Sequence, residues 1–158
     1  MLFRSIFSMA LPILALAVAG WQVARYYRPF DVPLVSPMGF VRTESFFEGE
    51  EVPIYYHAEQ PIRVDVFALR RRRERVATMR DVPARRQASR FSPVAGFDWH
   101  DPLLISTKGF PPGYYLAEVR EADTNRTWEV AFVVKPTTTA RVAVIASTNT
   151  WQIGRAHV

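Results

Sequence analysis

From residue 38 onward, apolar and polar side chains alternate in short runs. Residues 51–59 read EVPIYYHAE and residues 62–69 read IRVDVFAL, so that every second position is apolar. A period of two places one face of each strand in a core and the other in solvent. The pattern therefore predicts strands at both places, with a turn near Gly49 and another near Pro61.

The clearest hairpin lies between residues 113 and 134, which read GYYLAEVREADTNRTWEVAFVV. Alternate apolar positions on each side flank turn chemistry at residues 123–125. Residues 102–106 predict one short strand, and the polar stretch 70–92 predicts only a weak strand at 76–79. Short strands separated by frequent turns favour a mainly β protein with an immunoglobulin-like β-sandwich over residues 38–136.

The N-terminal segment, residues 1–28, predicts one hydrophobic helix. Residues 6–24 carry no charge and would span about 28 Å as a helix, close to the thickness of a bilayer core. Arg25 and Arg28 with two tyrosines between them favour an uncleaved anchor in the inner membrane. The sequence Ala17-Val18-Ala19 instead favours a cleaved signal peptide and a periplasmic or secreted protein. Both alternatives place the remainder outside the cytoplasm, with the membrane contacted through residues 6–24.

The predicted sandwich is flanked by two segments of different composition. Residues 29–37 contain three prolines at four-residue intervals, which predicts a stiff spacer. Residues 137–152 begin with a threonine-rich linker and continue into RVAVIAS, whose central apolar run is continuous. A continuous run is typical of a strand buried on both faces, so we expect this to be the first strand of an α/β domain.

The net charge of +5 comes almost wholly from arginine, and the chain contains no cysteine. Disulfides, thiolate nucleophiles and thiolate metal ligands are therefore excluded. The block Arg70–Arg75 raises nucleic acid or anionic lipid as partners. Because no aromatic side chain interrupts the block, we favour a solvated hairpin end and expect no nucleic acid partner.

Asp98, His100 and Asp101 are the strongest candidates for a metal or acid–base site. No strand or helix period aligns the three, and nothing in the sequence brings His57 to them. We therefore interpret the stretch as a loop in which Trp99 packs. No nucleophile elbow, zinc-protease, phosphate-loop or dinucleotide motif occurs, so we assign no catalytic, cofactor-binding or metal-binding residue in this chain.

Two stretches, FPPGYYLAEVRE…WEVAFVVKP and ARVAVIASTNTWQ, resemble the large (beta) subunit of N,N-dimethylformamidase and its relatives. The resemblance covers roughly residues 38–152. Within it, the family pattern is matched by Pro112, Gly113, Tyr114, Tyr115, Phe132, Val133, Pro136, Thr148, Asn149, Thr150, Trp151 and Gln152. The resemblance implies amide hydrolysis at an iron that is held by tyrosine and glutamate side chains of an α/β domain. All of these ligands would lie beyond Gln152. Tyrosines 55, 56, 114 and 115 match no ligand motif.

The last six residues, Ile153–Val158, depart from the family pattern and resemble translated sequencing adaptor. We therefore expect an N-terminal fragment that ends at about Gln152, with no cofactor of its own and a sandwich that supports the missing catalytic domain. The alternative is a membrane-anchored binding module for carbohydrate or envelope polymer. In that case exposed aromatic side chains, Tyr55, Trp99 and Tyr114, would form its platform.

Overall fold

The computed structural model describes residues 16–25, 27–122, 124 and 126–138. Residues 6–15 of the expected anchor, the strand expected within 139–152, and the tail Ile153–Val158 lie outside the described residues. The described chain divides into two compact units. One contains residues up to 33 together with 88–98, and the other contains 34–87 together with the residues from 99 onward.

The larger unit is built on a five-stranded sheet with the order β3-β11-β10-β5-β6. The neighbours are antiparallel except for β3, which pairs parallel to β11. The strand bounds are β3 Ser45–Phe47, β5 Ile62–Leu69, β6 Arg73–Val82, β10 Gly113–Glu121 and β11 Thr127–Lys135. This sheet contains the hairpin predicted between residues 113 and 134.

A second, three-stranded antiparallel sheet has the order β2-β4-β9. Its strands are β2 Met38–Phe40, β4 Glu51–His57 and β9 Leu103–Ser106. In immunoglobulin lettering the two sheets are A-B-E and A′-G-F-C-C′, with the first strand shared between them as β2 and β3. The predicted immunoglobulin-like β-sandwich is confirmed.

The core lies between the two sheets and is supplied by the alternate positions that the sequence pattern selected. Val52, Ile54 and Tyr56 of β4 are buried against the alternate residues of β10 and β11. One hydrogen bond also joins the sheets, since the indole Nε1–H of Trp128 donates to the carbonyl of Gly39 at 2.7 Å. The alternation along residues 51–59 and 113–134 therefore reports which face of each strand is buried.

Strand β6 differs from the prediction for the polar stretch 70–92. The weak strand that was predicted at 76–79 is the centre of the observed strand β6. This strand has ten residues, of which only Val82 is buried. Its pairing with β5 shifts register twice, and it has no partner on its other side within the described chain. An edge strand with both faces partly solvated needs few apolar residues, which explains the weak signal.

The smaller unit contains a helix over residues 16–25 and a three-stranded sheet with the order β1-β7-β8. The strands are β1 Phe30–Asp31, β7 Arg90–Ser92 and β8 Gly96–Phe97. Three phenylalanine rings pack edge to face in this sheet, with Phe91 5.7 Å from Phe30 and 5.1 Å from Phe97. The first residues of the proline-rich segment are thus paired in a sheet.

The helix over residues 16–25 exposes its apolar side chains, among them Trp21 and Val23 at 55% each. The guanidinium of Arg25 lies 5.5 Å from the centre of the Trp21 ring. None of the helical segments that the structure describes has the length and apolar character needed to cross a bilayer.

Candidate functional site

The turn between β5 and β6 carries the densest charge in the described chain. Residues 70–75 contain five arginines and one glutamate. Because Ala68 of β5 pairs with Tyr115 of β10, and Gly113 pairs with Val134, the turn lies where β10 begins and β11 ends. This basic segment, which we call the arginine tip (Arg70–Arg75), consists of the turn and the first three residues of β6. It therefore lies at the end of the sheet from which the chain leaves the sandwich.

Arg73 is fixed by groups on three other strands. Its guanidinium contacts the carboxylates of Glu118 at 2.8 Å and Glu129 at 3.4 Å, and lies 4.0 Å from the centre of the Phe67 ring. Glu118 and Glu129 face each other directly across β10 and β11, an arrangement in which like charges repel. Arg73 therefore acts as a structural bridge that offsets this repulsion.

The other arginines of the tip fall into two groups. Arg70 pairs with Glu74 at 3.3 Å, and Arg75 lies 3.9 Å from Asp65. Arg71 and Arg72 are exposed, and no carboxylate in the described part of the chain lies within 4.0 Å of either. Residues 70–74 line a surface concavity of about 510 Å³. The expectation of an exposed hairpin end is confirmed.

Asp65 is a nearly buried carboxylate that the sequence pattern placed on the solvent face of β5. It accepts hydrogen bonds from Thr78 Oγ1 at 2.6 Å and from Arg63 Nη2 at 3.0 Å. Burial by itself raises the pKa of Asp65, but these hydrogen bonds and the charges of Arg63 and Arg75 together lower it below its ordinary value. Asp65 is therefore a charged link between β5 and β6.

Glu121, at the opposite end of β10, is 3% exposed. Its carboxylate accepts hydrogen bonds from the hydroxyl of Ser36 and from the backbone amides of Glu59 at 2.9 Å and Gln60 at 3.3 Å. Burial by itself raises the pKa of Glu121, and the hydrogen bonds lower it below the ordinary range. Sequence analysis missed this anion because a single glutamate at a strand end carries no periodic signal.

Asp98, His100 and Asp101 do not form a ligand set within either unit. Asp98 belongs to the smaller unit, and the other two belong to the larger one. The carbonyl of His100 accepts a hydrogen bond from Gln87 Nε2 at 2.9 Å, and Arg85 pairs with the Asp101 carboxylate at 3.7 Å. These contacts hold a loop in place, in agreement with the interpretation as a loop.

His57 is 8% exposed on the outer side of β4. Its Nδ1 accepts a hydrogen bond from the amide of Gln87 at 3.0 Å, and its ring lies 6.2 Å from that of Trp99. Burial lowers the pKa of His57, and this effect outweighs the charges of Glu59 and Glu121, which act to raise it. The imidazole is therefore neutral at pH 7 and packs as a structural group.

The exposure of Trp99 that was expected for the alternative function is wrong. Trp99 is fully buried, its ring lies 5.1 Å from that of Phe40, and its carbonyl accepts a hydrogen bond from Arg42 at 3.0 Å. Tyr55 is half-buried, with Phe40 on one side and the Arg42 guanidinium 4.3 Å from its centre. The burial of Trp99 confirms the interpretation of this stretch as a loop in which Trp99 packs.

The two buried tyrosines hold the backbone of the sandwich. Tyr56 donates to the carbonyl of Pro83 at 2.9 Å, and Tyr115 donates to that of Pro111 at 2.5 Å. The second contact is the tyrosine corner of immunoglobulin-like folds, in which a tyrosine early in strand F bonds to the chain upstream. Burial raises the pKa of both hydroxyls.

An iron site built on the buried residues Tyr56, Tyr115 and Glu121 does not fit their contacts. The hydroxyls of Tyr56 and Tyr115 bond to carbonyls, and Glu121 is enclosed by donors. In the described ranges no three carboxylate or imidazole side chains are grouped so as to hold a metal ion. We therefore derive no reaction step from the residues of the sandwich.

One comparison with known proteins gives a match. The model of a family described as "N,N-dimethylformamidase beta subunit-like, C-terminal" matches residues 63–153, which is more than half of the chain. No curated protein and no solved structure matches. The resemblance found in the sequence is confirmed by this family match.

Proposed function

Since the chain belongs to the N,N-dimethylformamidase beta subunit-like family, we propose that its sandwich is a non-catalytic part of an amide hydrolase. The catalytic α/β domain follows residue 152 in this proposal, and the sandwich orients or covers it. In this proposal, iron is bound by residues of that following domain.

The observation that carries this proposal is the extent of the family match. The match begins at Arg63 in β5, continues through β10 and β11, and extends past Pro136 to residue 153. The C-terminal strands of the sandwich and the segment after it are thus matched as one unit. This supports a sandwich that belongs with the following domain rather than an independent module joined to it.

The side chains inside the sandwich support the same assignment. The buried carboxylates of Glu121 and Asp65 and the buried imidazole of His57 each have partners within the sandwich. A catalytic acid or base must instead reach a substrate proton within hydrogen-bond distance. Their arrangement is that of a rigid support.

The proposed location of the sandwich is outside the cytoplasm, with residues 6–24 as an anchor or signal. The described part of that segment is helical and exposes Leu16, Val18 and Trp21. An exposed apolar helix followed by arginine is typical of a membrane interface. N-terminal sequencing of the mature protein tests the two alternatives, because a start at Gly20 indicates cleavage and Met1 indicates an anchor.

A binding module for carbohydrate or envelope polymer gains no support from the aromatic side chains. Burial of Trp99 removes one of its three contact residues.

The experiment compares three forms of the protein: residues 29–136, residues 29–152, and the gene as it continues in the source DNA. We expect hydrolysis of small formamides, with stoichiometric iron, only in the form that continues beyond residue 152. A gene that stops soon after residue 152 would contradict the proposal. Hydrolysis or stoichiometric iron in either short form would contradict it as well.

A further inference from the structure

We propose that Arg71 and Arg72 of the arginine tip form a binding site for a phosphate-bearing anion. The proposal concerns a function that is separate from amide hydrolysis and does not depend on it. It rests on which arginines the sandwich neutralises, on the concavity beside them, and on the charge that a phosphate group carries.

Carboxylates of the sandwich neutralise some arginines of the tip and leave others without an ion pair in the described chain. Carboxylates lie within 4.0 Å of Arg70, Arg73 and Arg75. For Arg71 and Arg72 no such carboxylate exists in the described part of the chain. The neutralised guanidiniums brace β5, β6, β10 and β11, whereas these two form no ion pair or hydrogen bond with any strand in the described chain.

Neighbouring guanidiniums repel each other, and Arg71 and Arg72 are consecutive residues of the three-residue turn between β5 and β6 that line the same concavity. Their mutual repulsion is a cost that a bound anion removes. The concavity of about 510 Å³ lined by residues 70–74 gives an anion a place to contact both. The tip is thus suited to bind an anion from outside the chain.

A phosphate group fits this site better than a carboxylate. One carboxylate carries a single charge, as in the pairs that hold Arg70 and Arg73. A phosphate carries up to two charges and three acceptor oxygens, so a single group can neutralise both guanidiniums. The planar fork of arginine also binds phosphate through two parallel hydrogen bonds.

The same chemistry is offered by two sources, a phospholipid headgroup and a free phosphate compound. Binding is therefore measured on the full chain in two arms. One arm uses inorganic pyrophosphate in calorimetric titration. The other uses co-sedimentation with vesicles of phosphatidic acid, whose headgroup is a phosphate monoester, and with phosphatidylcholine vesicles.

The test variant is the double substitution Arg71→Ser and Arg72→Ser. Its matched control is Arg80→Ser with Arg126→Ser, which removes the same charge from two other exposed arginines that have no ion pair in the described chain. We also use Arg71→Lys with Arg72→Lys, which keeps the charge and removes the fork. Equal melting temperatures for all four proteins establish that differences in binding are not due to unfolding.

We expect the serine pair at the tip to weaken pyrophosphate binding at least tenfold and the control pair to weaken it less than twofold. The lysine pair should retain an intermediate affinity, and binding should weaken as salt is added. Equal losses in the tip and control variants would overturn the proposal, because they would indicate an effect of net charge alone. Absence of binding in both arms would also overturn it.

The vesicle arm identifies the source. Preference for phosphatidic acid that is lost in the tip variant, and is competed by pyrophosphate, indicates a headgroup. Pyrophosphate binding that depends on the tip, without a tip-dependent preference among vesicles, indicates a free phosphate compound. Either result supports the site.

Discussion

Strands β11 and β6 flank the same central pair, β10 and β5, yet they contribute to the sandwich in different ways. β11 is paired on both sides and buries Val130, Phe132 and Val134. β6 is paired on one side, shifts register twice, and is linked to β5 by the buried carboxylate of Asp65. The comparison indicates that apolar packing dominates on one flank and electrostatics on the other.

The largest expected loss of stability is at β11, the flank that is held by apolar packing. Phe132 is fully buried between the rings of Tyr115 at 5.5 Å and Phe46 at 6.3 Å. Phe132→Ala should lower the free energy of unfolding by about 3 to 5 kcal/mol through lost burial and a cavity. Met79→Ala on β6 is the control and should cost about 1 kcal/mol, because Met79 is only partly buried. If urea denaturation gives equal losses in the free energy of unfolding for the two variants, β11 and β6 do not differ in this way.

The next largest expected loss of stability is at β6, the flank that is linked to β5 by a buried charge. Asp65→Asn weakens the hydrogen bonds and charge contacts with Arg63 and Thr78. It should lower the free energy of unfolding at pH 7 by about 1.5 to 3 kcal/mol, the range for hydrogen bonds to charged groups.

The pH dependence of the same variant gives a second measurement. The folded protein holds the pKa of Asp65 below its ordinary value of 3.8, so the charged form stabilises the fold. That contribution is complete above about pH 4 and is lost as the pH falls through the lowered pKa. The gap in stability between the native protein and Asp65→Asn should therefore narrow on acidification, while the contribution of Glu121 cancels between them. A gap that stays constant from pH 7 to pH 3 would show that the charge of Asp65 is not the cause.

A smaller effect concerns the bond that joins β11 to the opposite sheet. Trp128→Phe removes the indole donor to Gly39 and should cost about 1 kcal/mol, the net value of a typical hydrogen bond. Tyr114→Phe, which removes a half-buried hydroxyl with no hydrogen-bond partner in the described chain, should change stability by less than about 0.5 kcal/mol. If the two variants are equally stable, the bond to Gly39 contributes nothing measurable.

The smallest expected effect is at the arginine tip. Arg71→Ser with Arg72→Ser should change the free energy of unfolding by less than about 0.5 kcal/mol, because neither side chain is paired in the described chain. Arg73→Ser is the comparison and should cost more, since Arg73 bridges Glu118 and Glu129. A larger loss in the double variant than in Arg73→Ser would reverse this assignment of roles.

The difference in burial between β11 and β6 also explains which strands could be predicted from the sequence. The alternation along β4, β10 and β11 is visible because one face of each strand is apolar and fully buried. Along β6 both faces are partly solvated, so the pattern indicated only its centre. Strands β1, β7 and β8 have two or three residues each, too few for a period to be recognised.

The side-chain predictions divide along similar lines. Exposure of the arginine tip followed from its charge alone. Burial of Trp99, Asp65 and Glu121 depends on residues that lie far away along the chain, such as Arg42, Thr78 and Ser36. The packing of Trp99 in its loop was predicted, but the burial of Asp65 and Glu121 was not, because local patterns do not contain that information.

The parallel pairing of β3 with the end of β11 also has a mechanical consequence. Residues Ser45–Phe47 run alongside Val133–Lys135 in the same direction, so the start of β3 and the end of β11 lie at opposite ends of the pairing. Tension applied along the chain between these two points pulls the paired strands past each other rather than apart. The hydrogen bonds then bear the load together and rupture as a group, whereas strands pulled from the same end open one bond at a time. If the chain is held at its N-terminal side while a larger domain moves beyond β11, this short pairing protects the sandwich against being pulled open.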